Sequence, residues 1–243
     1  NGYKRKIADF CTIVNAERTV SMNDKPSQVM SHGKGTSMWS AVTSVKQLEA
    51  DACVSCGNTG ALMAISMVRL RKIPGINRPA IAILWPSVGP NGCNVMLDVG
   101  ADIRADENDL LQFALMGASY SSNGFGVVVP RVGLLNVGTE EHKGRTELKA
   151  AHDLIRDSAA TGNFEFVGYV EGGDIPSTKI DVVVTDGFTG NIALKTAEGT
   201  ASFISNALRE TFKQNLLSKL SAIVACGPLS RLKRRTDPRR VNG

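Results

Sequence analysis

Long apolar runs are missing from this 243-residue chain, and none approaches the roughly 20 residues a helix needs to cross a bilayer. The amino end also lacks the charged, apolar and small-residue order of a secretory leader. A cytoplasmic protein is therefore expected, and because the chain begins at Asn1 and stops at Gly243 it reads as a piece of a longer one. The five cysteines, at positions 11, 53, 56, 93 and 226, form no regular framework. Cys53 and Cys56 make a C-x-x-C, but a zinc site takes about four ligands, and no second pair follows. Nor are His32, His142 and His152 spaced as metal ligands, so neither a metal nor another cofactor is expected. No G-x-G-x-x-G follows a strand and no G-x-x-x-x-G-K-[ST] is present, which removes the main support for dinucleotide and P-loop readings. No serine or cysteine stands in an obvious triad setting, so no protein nucleophile is evident.

Charge is present but unevenly placed. Between 229 and 243 six basic residues face one acid, which equals the net charge of +5 for the whole chain. The body is balanced, and the basic tail points to an acidic partner or an anionic surface. No aromatic-basic motif accompanies it, so nucleic acid is not an expected partner.

The organising stretch is residues 51–72. Residues 51–55 read as a short buried strand, and Gly57, Asn58, Thr59 and Gly60 form a turn. Leu62, Ile65, Met67, Val68 and Leu70 then recur at a helical period. A strand, a glycine turn and a helix aim the first free N–H groups of that helix at an anion. The glycines permit close backbone approach, and Asn58 or Thr59 can cap the helix or bond the ligand.

The alternation continues along the chain. Further strands are expected at 11–16, 79–85, 95–99, 131–137, 164–170 and 180–185. Helices are expected from Ser37 to about Leu48, from Asp106 to Gly117, over 146–157 and from near Ile192 onward. Pro26 lies in a polar stretch, and residues 31–36 read as a loop. Such alternation predicts one α/β domain over 1–243, a three-layer α/β/α sandwich with a mainly parallel sheet. Within it, a helix pair is expected at 192–226, ahead of the basic tail at 229–243. Its second apolar run, 216–226, is too short to span a bilayer. It suits an anionic membrane surface, an acidic partner, or a dimer or core contact.

In parallel sheets ligands bind beyond the carboxyl ends of the strands. Three glycine-containing loops are expected there, at 57–60, 138–144 and 186–191. Their convergence would make a phosphate site. Lys143 and Lys195 would supply charge, and Asn136 and Asn191 hydrogen bonds, as the catalytic set. Gly57, Asn58, Thr59, Gly60, Asp98, Gly138, Glu140, Asp186, Thr189 and Gly190 complete the candidate phosphate and substrate contacts. Asp98, Asp186 and Glu171 serve equally well as caps.

Five ordered blocks carry a family resemblance: VSCGNTGALMA at 54–64, LDVGA at 97–101, QFALMG at 112–117, VGLLNVG at 132–138 and DGFTGNIALK at 186–195. Together they resemble PlsX, the phosphate acyltransferase family of bacterial phospholipid synthesis. The resemblance implies transfer of a fatty acyl group from acyl carrier protein to inorganic phosphate. It also implies a fold like that of phosphotransacetylases and isopropylmalate dehydrogenases, usually as a homodimer. The chain departs from the family pattern at Cys56 (alanine is usual), at Asp102 and Arg145 (asparagine is expected) and at Gly173 (a larger polar residue is common). A short-chain phosphotransacylase using a coenzyme A thioester and a non-catalytic module binding anionic surfaces remain the alternatives.

Overall fold

The computed structural model describes residues 9–102, 104–140 and 143–236. The chain divides into two compact units, Asn1–Pro79 and Ala80–Gly243.

In the first unit the described elements are three helices, α1 (Pro26–His32), α2 (Ser37–Lys46) and α3 (Thr59–Arg69). They bury Val29, Met38, Val42, Ala61 and Ile65 against one another. α1 forms in the polar stretch at Pro26, since proline suits the first turn of a helix, and it ends at His32 just inside the expected 31–36 loop. Thr36, not Ser37, caps α2, accepting from the Trp39 N–H at 3.3 Å. The strands expected at 11–16 and 51–55 are absent: both segments run without a ladder. An apolar strand needs a neighbour to pair its backbone with, and among the described residues neither segment has one.

The second unit is built on a five-stranded sheet in the order β1-β2-β5-β3-β4. Its strands are β1 (Ala82–Pro86), β2 (Cys93–Leu97), β3 (Arg131–Leu135), β4 (Glu165–Val170) and β5 (Val182–Val184). β1 runs antiparallel to β2, and the remaining neighbours are parallel. Four helices complete the unit: α4 (Glu107–Phe125), α5 (Thr146–Ser158), α6 (Gly187–Lys213) and α7 (Leu216–Thr236).

The strands alternate between two buried faces, as the period of two requires. Val95, Leu97, Val132, Leu134, Val182 and Val184 face α4 and α5. Met96, Leu135 and Val183 face the opposite layer, where Ala193 and Leu194 of α6 pack. The result is the mostly parallel three-layer α/β arrangement that the alternation predicts.

α4 shows why such a helix forms where it does. Asp106 accepts from the Asp109 N–H at 2.8 Å while the Asp109 carboxylate reaches back to the Asp106 N–H, closing a capping box. Leu110, Phe113, Ala114, Gly117, Ala118 and Ser121 are buried at helical spacing. The helix passes through Gly117, the expected stop, to Gly126, whose φ of 70° makes the left-handed cap. Gly117 is instead a contact point: a Cβ there would lie 2.4 Å from Val182 Cγ1.

Candidate active site

β2, β5 and β3 are parallel neighbours, so their carboxyl ends share one rim. Asp98 follows β2, Asn136 follows β3, and Thr185 and Asp186 follow β5. The chain leaves β3 for α5 on one face and β5 for α6 on the other. The gap between the ends of β3 and β5 is therefore the topological switch point, where open α/β sheets place ligands. The loops at 138–144 and 186–191 both start from this rim. The turn at 57–60 belongs to the first unit.

Asp98 is fully buried. Its carboxylate accepts from the backbone N–H groups of Ile81 (2.8 Å), Ala101 (2.9 Å) and Asp102 (2.7 Å). Those bonds organise the loop after β2, the capping role that the sequence leaves open for it. The start of α6 presses onto that loop. A Cβ on Gly187 would meet the Asp102 carbonyl at 2.5 Å, and one on Gly190 the Asp98 carbonyl at 1.9 Å. The glycines of DGFTGN thus serve helix-to-loop packing. Asp186, 2% exposed, caps α6: Oδ1 accepts from the Thr189 N–H at 2.8 Å and Oδ2 from the Thr189 hydroxyl at 3.1 Å. α6 consequently begins at Gly187, not near Ile192, because Asp186 supplies the cap and Gly187 and Gly190 the room.

Asn136 is buried at the end of β3, and its Nδ2 donates to the carbonyls of Gly138 (3.0 Å) and Lys143 (3.2 Å). Its side chain nests against Gly144, where a Cβ would lie 2.4 Å from Oδ1; Gly144 also has φ of 95°, a conformation open to glycine. The amide thus ties both ends of the 138–144 loop together. Lys143 Nζ pairs with Glu140 at 2.6 Å above Gly138. That hydrogen bond, and then the carboxylate's charge, raises the lysine's pKa and keeps it protonated. Lys195 pairs with Glu198 at 2.8 Å on an exposed stretch of α6. Asn191 is exposed and lies beside Gly100.

The rim also holds a cation that the sequence reading treats only as a departure from a pattern. Arg145, at the N-cap of α5, sends Nη2 to Asp186 Oδ2. The pair joins the start of α5 to the end of β5. The available signal was its position directly after the Lys-Gly of the loop.

In the first unit, Asn58 Oδ1 caps α3 by accepting from the Ala61 N–H at 3.0 Å. Its Nδ2 donates to the carbonyls of Met22 (3.1 Å) and Asp24 (3.0 Å). Gly60 lies under Pro26, with 2.9 Å from a built Cβ to Cγ. Gly57 borders a cavity of about 340 Å³ lined also by Val20, Met38, Ala41, Val54 and Cys56. All five cysteines are free thiols, and no cluster of metal-binding side chains occurs among the described residues.

The profile of a family described as "fatty acid synthesis protein" matches residues 4–243. The chain belongs to this family. A phosphate acyltransferase of Cereibacter sphaeroides is 68% identical over 99% of the chain, and one of Dinoroseobacter shibae 69% identical, also over 99%. The chain spans 65% and 62% of their respective lengths. Among solved structures, a phosphotransacetylase from Streptococcus pyogenes superposes with a TM-score of 0.56 at 16% identity, covering 79% of this chain and 67% of that one. At that identity the likeness shows a shared fold alone. For this family member, the PlsX resemblance in the five sequence blocks and the observed α/β sheet agree.

Proposed function

We propose that this family member transfers a fatty acyl group from acyl carrier protein to inorganic phosphate, giving acyl phosphate. One observation carries the reading on the structural side. Two family blocks, VGLLNVG and DGFTGN, lie at the carboxyl ends of adjacent parallel strands at the switch point, where open α/β sheets place ligands. The names of its relatives supply the reaction class.

The chemistry needs no protein nucleophile. A phosphate oxygen attacks the thioester carbonyl carbon, the carbonyl becomes an oxyanion, and its collapse breaks the C–S bond. The departing thiolate takes a proton from water, and with a thiol pKa of about 8–9 by analogy with cysteine it needs no strong acid. What the protein supplies is position and charge. Lys143 stands on the loop above the rim, and its pair with Glu140 is exposed and screened by solvent, so an incoming phosphate can displace the glutamate. Asn136 holds that loop in place, and Asn191 and Lys195 are further donors on the first turns of α6. The turn at 57–60, with Asn58 committed to its cap, offers backbone N–H groups as a phosphate cradle in the first unit.

The remaining partners follow from the same reading. α6 and α7 expose Phe203, Leu217, Ile223 and Val224 beside basic residues such as Arg231. No described helix is long and apolar enough to cross a membrane. We assign this surface to a homodimer contact or a peripheral contact with anionic membrane at 201–240, in a cytoplasmic enzyme. The test replaces the matching span of the Cereibacter sphaeroides protein with this chain. The chimera is assayed for acyl phosphate with palmitoyl carrier protein and with acetyl-CoA. Product from the carrier protein alone is expected. Product from acetyl-CoA alone would make it a short-chain phosphotransacylase, and no product from either would remove the activity.

A further inference from the structure

We propose that Arg145 is a phosphate-binding residue of this site, its guanidinium held at the switch point by Asp186. The inference deepens the acyltransferase reading and rests on it for the identity of the second substrate.

The rim poses an electrostatic problem for a phosphate site. Asp98, Asp102 and Asp186 all lie there, 0%, 9% and 2% exposed. An incoming phosphate carries up to two negative charges, and buried carboxylates repel it through a low dielectric. A positive group at the rim itself offsets that repulsion. Lys143 and Lys195 pair with Glu140 and Glu198, carboxylates that are themselves exposed. Arg145 instead pairs with a buried carboxylate of the rim, Asp186.

The geometry of that contact leaves the arginine able to bind. Asp186 already accepts from the Thr189 N–H and hydroxyl, which fix its orientation. Among the described residues Arg145 bonds Asp186 through Nη2, and its side chain is 55% exposed. A guanidinium carries five N–H donors in a rigid fork, so one edge can stay on Asp186 while another meets two oxygens of a phosphate. The backbone supports this placement. Gly144 packs on the Asn136 amide, and the Arg145 carbonyl accepts from the Leu148 N–H at 3.1 Å at the start of α5, so the backbone at the base of the arginine side chain is held on both sides. The fork pairs with two oxygens of an oxyanion at once and with charge, which a carboxamide in the same position cannot do.

The experiment uses the chimera described above with Arg145→Gln, Arg145→Lys and, as a surface-charge control on the same helix, Arg156→Gln. Arg145→Gln should raise the KM for phosphate at least about tenfold, the worth of a hydrogen bond to a charged group. The KM for acyl carrier protein should move less than about twofold, Arg145→Lys should recover part of the loss, and Arg156→Gln should change neither constant. A fall in kcat or thermal stability with the phosphate KM unchanged would overturn the proposal, leaving Arg145 as a clamp for Asp186. Phosphorus NMR of inorganic phosphate titrated with this chain gives a readout without turnover. Line broadening lost in Arg145→Gln and retained in Arg145→Lys supports the assignment even if the chimera makes no acyl phosphate. Broadening that survives in Arg145→Gln, or is absent from the parent chain, sinks it. Should Arg145→Gln fail to fold by circular dichroism, Arg145→Lys decides, and a phosphate KM equal to the parent's then counts against it.

Discussion

Gly190 shows how little space separates the start of α6 from the loop after β2. Its missing Cβ would fall 1.9 Å from the Asp98 carbonyl oxygen, a backbone atom that cannot turn aside. Gly190→Ala should therefore destabilise the second unit by about 1–3 kcal/mol or more, the usual range for forcing atoms into a packed site. Urea unfolding checks this. Gly172→Ala, with nothing within 4 Å of its Cβ, is the neutral control. The sequence marks Gly187 and Gly190 as significant but not for which neighbour, and a ligand and a backbone carbonyl call for the same residue. Arg145 is the converse case, a charge whose partner lies 41 residues away. Acid sensitivity also belongs at this scale. Burial pushes the Asp181 carboxyl up, but hydrogen bonds from the Arg131 side chain and backbone, with its charge, outweigh that and hold it below its ordinary value. Asp174 is held down likewise, first by Lys179. A depressed folded pKa gives stability that is present above the unfolded value of about 3.9 and is lost as pH falls through the folded one. Unfolding midpoints should thus fall below about pH 4, and Asp181→Asn should flatten that part of the profile while lowering stability at neutral pH.

Helices were legible where one segment carries its own cap and its own apolar stripe. α4 has both in Asp106, Asp109 and the buried series from Leu110 to Ser121, and α5 starts at Thr146 as its pattern predicts. Asp106→Ala should cost about 1 kcal/mol, the typical worth of a lost N-cap, measured by thermal unfolding. Boundaries set by partners were not legible. α6 starts five residues before the expected position because Asp186 and two glycines are read only against the loop they contact. α7 continues to Thr236, carrying the first basic residues of the tail past Pro228. Asn58 tests a cap with a second duty. Asn58→Asp keeps the acceptor for the Ala61 N–H but sets a carboxylate against the Met22 and Asp24 carbonyls. It should destabilise the first unit at least as much as Asn58→Ala, and hydrogen exchange across α3 would report it.

Across the whole molecule, the exposed apolar side chains of α6 and α7 predict behaviour that the isolated core does not. Flotation with anionic liposomes should fall when residues 216–243 are removed, and equal recovery would end the membrane proposal while leaving the dimer to be tested by light scattering. The sequence by itself determined the α/β class, the buried β-branched strands and the family, because periodicity, caps and ordered motifs are properties of short segments. It could not determine the strand order β1-β2-β5-β3-β4, the antiparallel edge, or that residues 51–55 make no ladder, since pairing depends on which backbone lies alongside. Only the tertiary structure brought Asp98, Asn136, Arg145 and Asp186 to one rim. Three strand ends and the N-cap of a helix, far apart in the chain, had to be folded together for those four side chains to lie there.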